Sequence, residues 1–305
     1  MRSMVALVQR EFQEHKGAFF FAPLVLLALF TLLLGSALAF NEVKVPVSVS
    51  DASALKFFEI AFLGTGALWL IYLMAALFFY YADAFSADRR NNSMLFWKSM
   101  PLSDFKVLLS KMAAGLTLFP AIIFAMLLAT GLVIYGLTSI AVLSLPNLEV
   151  PGFGDVLASA FNLAWFCLAY LALGLLWYAP FFAWVGALST IVGRWSIPLA
   201  FLIPGLAVLG ENLFFRGIGG ILGGLLFPGG APSGGYILDY LGYRADFGLD
   251  ERQVMATFAD AQFDAVAMFG RLLAGIDWAQ MAGGVAVAVV LVWLASEYRR
   301  RVIVA

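Results

Sequence analysis

The sequence predicts an all-α integral membrane protein with six transmembrane helices, and three observations predict it. Hydrophobic residues make up 63% of the 305 positions and charged residues 12%, with a mean hydropathy of +0.94, whereas soluble domains run nearer half apolar and a quarter charged. Six apolar runs are continuous rather than alternating, and about 20 such residues cross a hydrocarbon core of about 30 Å as helix. Lysine and arginine concentrate in every second connection, the asymmetry expected of a multi-pass chain.

Residues 1–17 read as an interfacial helix. Met1, Met4, Val5, Val8 and Phe12 recur at helical spacing, Arg2, Gln9, Gln13 and Lys16 fall elsewhere on the wheel, and Arg10 and Glu14 are placed for an i,i+4 pair. The plainer alternative is a lead-in that only anchors the first span. Basic residues followed by an apolar run and Ala37-Leu38-Ala39 imitate a secretory signal. The run from Ala18 to Phe40 is too long for that, Glu11 and Glu14 sit in the leader, and more spans follow. The first span is therefore expected to remain uncleaved.

The spans are expected at 18–40, 60–82, 113–140, 156–190, 196–215 and 279–296, within one membrane domain covering 1–305. The fourth is too long for one straight crossing and is expected to tilt, to kink at Pro180 or to extend past the bilayer. Orientation follows from the loops. The leader holds Arg2, Arg10 and Lys16, the 83–111 loop holds Arg89, Arg90, Lys98, Lys106 and Lys111, the fourth loop Arg194, and the tail Arg299, Arg300 and Arg301. The 41–59 loop has only Lys44 and Lys56, the 141–155 loop no basic residue, and in 216–278 the arginines are outnumbered by acids. Both termini are thus placed in the cytoplasm. On this assignment Lys111 and Arg194 read as positive-inside anchors.

The external segment 216–278 begins glycine-dense, with Gly217-Ile218-Gly219-Gly220 and Gly223-Gly224, and is broken at Pro228 and Pro232. It reads either as a re-entrant, protein-shielded hairpin or as a loop. Asp250 with Gln253 resembles a capping box opening a helix to about Ala274.

Composition excludes several functions. A net charge of −1 provides no basic surface for nucleic acid. The single Cys167 builds neither a disulfide nor a thiolate cluster, and the single His15 rules out a two-histidine metal site and the HExxH arrangement. GxSxG, GxGxxG and GxxxxGK[ST] are absent. The chain is read as a non-enzyme that binds no metal or cofactor itself. Of the ionisable residues near the spans, Glu59 opens the second, Asp83 closes it, and Glu211 with Asn212 is the candidate external gate. Phe166, Tyr170, Trp177, Phe181 and Trp184 share one face of the fourth span. That stripe either lines a path for a lipid-like substrate or packs helices.

The most informative stretch is the polar loop 83–111, with Phe96 and Trp97 set among Arg89, Arg90 and Lys98. Ser103 or Asp104 can cap a helix running through Phe105, Val107, Leu108 and Lys111, while Pro101 ends a preceding helix near 91–99. Two exposed aromatics with a basic rim fit either a partner's pocket or the lipid headgroups.

The run Asp88-Arg89-Arg90, Ser93, Leu95-Phe96-Trp97-Lys98-Ser99, Pro101, Ser103-Asp104, then Val107 to Lys111, resembles the intracellular loop of ABC-2 type transporter permeases. Trp177 to Trp184, the Ser189 to Arg194 turn and the Arg299-Arg300-Arg301 tail are similar as well. The resemblance covers nearly the whole chain and is most specific at 88–111. The 228–278 insert departs from it, being longer than a minimal member needs. The resemblance implies the type II exporter-like architecture, with an N-terminal interfacial helix and an external elaboration between spans five and six. It implies a bacterial inner-membrane location and two paired permease subunits, as a homodimer or heterodimer. It also implies a separate cytoplasmic ABC ATPase carrying ATP and Mg, docked on Phe96, Trp97, Arg89, Arg90 and Lys98. Export by alternating access follows from the resemblance, while the few charges in the spans favour an amphipathic or hydrophobic cargo. Two rivals stay open: an ion-coupled secondary transporter working through Glu59, Asp83 and Glu211, and a non-transporting scaffold or sensor subunit.

Overall fold

The computed structural model describes residues 2–39, 54–90, 103–143, 152–213 and 263–302, and their regular structure is entirely helical. The helices are α1 (Arg2–Lys16), α2 (Ala22–Ala39), α3 (Ala54–Arg90), α4 (Asp104–Ala113), α5 (Phe119–Leu143), α6 (Phe153–Val192), α7 (Ser196–Leu213), α8 (Ala265–Gly275) and α9 (Trp278–Val302). π-helical turns at Gly17–Phe21 and Ala114–Leu118 join α1 to α2 and α4 to α5, and a 3-10 turn at Gly193–Trp195 joins α6 to α7. Among the described residues five helical stretches are long and apolar enough to cross a membrane: Met4–Ala37, Leu55–Asp88, Asp104–Ile140, Phe153–Val192 and Trp278–Arg301. The chain is a multi-pass membrane protein. The expected fifth span corresponds to the shorter α7, with 18 residues, about 27 Å at 1.5 Å per residue. α6, with 40 residues and Pro180 inside it, is about 60 Å long and outruns a bilayer core of about 30 Å.

Two compact units share these helices. The first comprises Met1–Leu77, Ser110–Leu175 and Glu251–Ala274, the second Phe78–Leu109, Leu176–Asp250 and Gly275–Ala305.

In the first unit Phe19 of the first π-turn stacks on Phe119, the first residue of α5, at a centroid distance of 3.8 Å and 4° between planes. Tyr72 donates to the Ala18 carbonyl. Gly131 lets α5 approach α3, since a Cβ there would lie 2.6 Å from the Phe62 ring. Trp69 Nε1 donates to Thr130 Oγ1 at 2.9 Å, which satisfies the one polar edge of a buried indole. α2 leaves Leu24, Val25, Leu29, Leu32 and Leu33 exposed, as a helix apolar on every side does when lipid is its solvent.

In the second unit Tyr81 stacks on Phe182 at 5.2 Å. Gly186 accepts Phe85 so closely that a Cβ would sit 2.9 Å from the ring. α6 ends at Gly193, with φ of 58°, the left-handed closure that glycine adopts without strain. Ser196 Oγ then donates to the Ala82 carbonyl at 3.2 Å.

One sequence expectation is corrected. A single helix from Asp250 to about Ala274 does not form, because residues 263 and 264 are non-helical and α8 starts at Ala265. Asp264 is the cap, its Oδ1 accepting from Val266 N at 3.1 Å and Ala267 N at 3.0 Å. The predicted stop holds, with α8 ending at Gly275.

Candidate functional site

The loop between α3 and α4 is framed by charges the structure places explicitly. α3 carries Asp83, Asp88 and Arg90 through its last two turns, and α4 opens at Asp104. Ser103 caps α4, its Oγ accepting from Lys106 N at 3.3 Å, in agreement with the sequence reading. The asparagine- and aromatic-bearing stretch with Phe96, Trp97 and Lys98, and the short helix expected at 91–99, lie outside the described residues. Arg89 falls in the last turn of α3.

Within the second unit a buried arginine joins the two stems of this loop. Arg299, on α9, places Nη1 and Nη2 at 3.3 Å and 3.4 Å from Asp88 Oδ2. Its Nε lies 3.8 Å from Asp104 Oδ1. Arg299 and Asp88 are each 2% exposed and Asp104 21%. Nε makes no hydrogen bond among the described residues, so a shift of well under 1 Å toward Asp104 would close the second half of the clamp. A buried guanidinium is held by such partners or not at all, because an uncompensated buried charge costs several kcal/mol. Arginine suits this position because it stays charged and its rigid fork engages two carboxylates at once.

The sequence reading took Arg299, Arg300 and Arg301 as one positive-inside cluster. The structure divides them. Arg300 and Arg301 reach back to Glu297 at 2.7 Å and 2.5 Å and stay exposed, while Arg299 turns inward. The signal was present in α9: Ala288, Val292, Ala295 and Arg299 are all buried and recur at helical spacing, so Arg299 continues the apolar face.

A second pair decorates the stem differently. Arg90 donates to both carboxylate oxygens of Asp83, with Nη2 to Oδ2 at 2.9 Å, and both side chains are exposed. Those hydrogen bonds, and then the Asp83 charge, raise the Arg90 pKa further. The pair borders a cavity of about 630 Å³ lined also by Ser86, Ser189, Thr190 and Ser196. These four hydroxyls donate to backbone carbonyls of Asp83, Gly186 and Ala82, leaving lone pairs for the cavity.

Within the first unit the end of α4 is tied to the N-terminal helix. Lys111 Nζ meets Glu11 Oε1 at 2.9 Å, with the two side chains 1% and 3% exposed. Lys111 is thus no solvent-facing anchor. It is an interior charge whose partner lies 100 positions away. The expected Arg10–Glu14 pair on α1 forms at 2.7 Å. Glu11, Glu14 and His15 come close enough to share a cation, but Lys111 and Arg10 already neutralise the two carboxylates.

The other sequence candidates divide between the units. Phe166 and Tyr170, in the first, face one another at 6.2 Å, and Phe166 packs edge-on to Phe263 at 5.3 Å. Trp177, Phe181 and Trp184 lie in the second: Trp177 is fully buried, Phe181 meets Phe78 at 6.1 Å and Phe201 at 6.4 Å, and Trp184 Nε1 is buried without a hydrogen-bond partner among the described residues. Of the gate pair Glu211 and Asn212, the structure gives the helical backbone at the end of α7. Glu59 is an interior carboxylate, 1% exposed, facing Lys56 Nζ at 3.2 Å. Its Oε1 accepts from Ser159 Oγ at 2.7 Å and Phe263 N at 3.2 Å.

No family model, curated protein or solved structure matches this chain.

Proposed function

We propose that the chain is the membrane-spanning permease subunit of an ATP-binding cassette transporter of the ABC-2 type, paired with a second permease subunit and driven by a separate cytoplasmic ATPase. The loop between α3 and α4 is the coupling element. Phe96 and Trp97 fill the ATPase's pocket, and Arg89, Arg90 and Lys98 form the rim. The structural observation that supports this reading is the buried Asp88–Arg299 pair at the foot of that loop, with Asp104 of the other stem 3.8 Å from Arg299 Nε. A loop that delivers force must be fastened at its base, and a buried, charge-assisted contact is stiffer than a solvated one.

In this reading ATP binding closes the ATPase dimer and displaces the docked loops, and the clamp passes the displacement to α9. The spans reorient around a central path, and hydrolysis resets the cycle. The reaction chemistry stays on the ATPase, and substrate is exported, with an amphipathic or hydrophobic cargo favoured by the few charges in the spans. The ion-coupled alternative gains little from Glu59 and Asp83, since each already faces a cation of this chain.

The test replaces Phe96 and Trp97 with alanine in the full chain. Expected is normal membrane insertion, weakened retention of a co-purifying P-loop ATPase, and ATP hydrolysis uncoupled from transport. Unchanged ATPase retention and transport in that variant would refute the docking role, and purification with no P-loop partner at all would refute the transporter class.

A further inference from the structure

Inside the first unit, between α3, α5 and α6, lies a cavity of about 240 Å³ walled by Leu63, Leu70, Leu127, Phe166, Cys167 and Tyr170. We propose that it holds one acyl chain of a bilayer phospholipid. This goes beyond the transport reading and does not depend on any ATPase.

Three observations carry it. The first is place: the lining residues sit well inside three of the helices long and apolar enough to span the membrane, so acyl chains are the surrounding solvent. Ala67, one of the lining residues, is itself exposed, which leaves the cavity a lateral mouth.

The second is chemistry. The one indole in the wall, Trp69, spends its Nε1 on Thr130 Oγ1 at 2.9 Å, and the Thr130 hydroxyl is spent in turn on the Met126 carbonyl at 2.7 Å. Water needs two to four polar partners to occupy a cavity, and the other lining side chains offer it only the Tyr170 hydroxyl and the Cys167 thiol, a weak partner.

The third is size and shape. An apolar cavity of about 150 Å³ stays dry and admits benzene, so this larger one takes an apolar guest. Gly66 keeps it open. A Cβ there would meet Leu127 Cδ1 at 3.6 Å and Cys167 Sγ at 3.7 Å, ordinary contacts, so a longer side chain at this position would grow into the space.

The experiment reconstitutes the full chain in phosphatidylcholine nanodiscs doped with phosphatidylcholine bearing a mid-chain diazirine, irradiates them, and maps adducts by mass spectrometry. Expected are adducts on Cys167, Tyr170 and Leu70 in addition to those on outward-facing Leu132 and Trp165, which are 70% and 51% exposed. Gly66→Leu should lose the Cys167 and Tyr170 adducts while keeping those on Leu132 and Trp165, which also reports that the variant is folded. Gly66→Ala should keep both sets. Wild-type adducts confined to Leu132 and Trp165 would overturn the proposal, whatever the variants do. So would efficient oxidative linkage of Cys167 between two copies, which would make a second copy of the chain the occupant.

Discussion

Two aspartate–arginine pairs stand at the end of α3, five residues apart on the aspartate side, and the fold treats them in opposite ways. Asp83–Arg90 closes within one helix, with both side chains in solvent. Asp88–Arg299 closes between helices that are 211 positions apart in sequence, with both side chains at 2% exposure. The first is local, forms as soon as α3 forms, and sits in a medium that screens it. The second exists only once α9 has docked, and in its dry setting each charge depends on the other. The same two residue types therefore decorate the loop in one case and hold its base in the other.

Substitutions separate the two pairs, with the largest effect expected at the buried one. Arg299→Ala leaves Asp88 uncompensated and should cost about 3–5 kcal/mol, seen as a large drop in thermal unfolding midpoint of the detergent-solubilised protein and in membrane yield. Combining it as Arg299→Met with Asp88→Leu should recover most of that loss, because an apolar pair of similar volume often replaces a buried ion pair at little net cost. A double variant no better than Arg299→Ala would show that Arg299 acts through Asp104 or the loop rather than through Asp88.

Next comes Lys111→Met, which strands Glu11. Its cost should approach the same range, moderated because His15 Nδ1 lies 4.0 Å from Glu11 Oε2. A far smaller loss, read by the same melt, would mean that water reaches Glu11. Ser103→Ala removes the cap on α4 and should cost about 1 kcal/mol, while Ser103→Asp should retain nearly full stability. Smallest is Arg90→Ala, expected between 0 and about 1 kcal/mol and shrinking further as salt is added. A salt-insensitive loss at Arg90 as large as that at Arg299 would erase the distinction drawn between the two pairs.

The sequence made legible what depends on composition and local spacing. The apolar runs announce the long helices, Arg10 and Glu14 their i,i+4 pair, Ser103 or Asp104 the cap that Ser103 supplies, and a stop near Ala274 the end of α8. It was less informative wherever a side chain's partner is remote. Lys111 and Arg299 read as positive-inside residues because a count of loop charges is blind to which way a side chain turns. Asp250 and Gln253 lie outside the described residues, and the cap of α8, Asp264, follows from residues 263 and 264 being non-helical, which no motif announced. Phe166 and Trp177 share a helical face by period, yet one borders an apolar cavity and the other is buried in a different unit.

Composition and local spacing were thus enough for the class of solvent and the class of element: a chain this apolar must satisfy its backbone internally, and continuous apolar runs do so as helices. Which charges became interior was settled by the packing of the helices. Burial is a property of neighbours brought together, and a charge enters the interior where an opposite charge meets it: a local one for Glu59 and Lys56, a distant one for Asp88 with Arg299 and for Glu11 with Lys111. That is why Asp88, Arg299, Glu11 and Lys111 could be named only after the helices were in place.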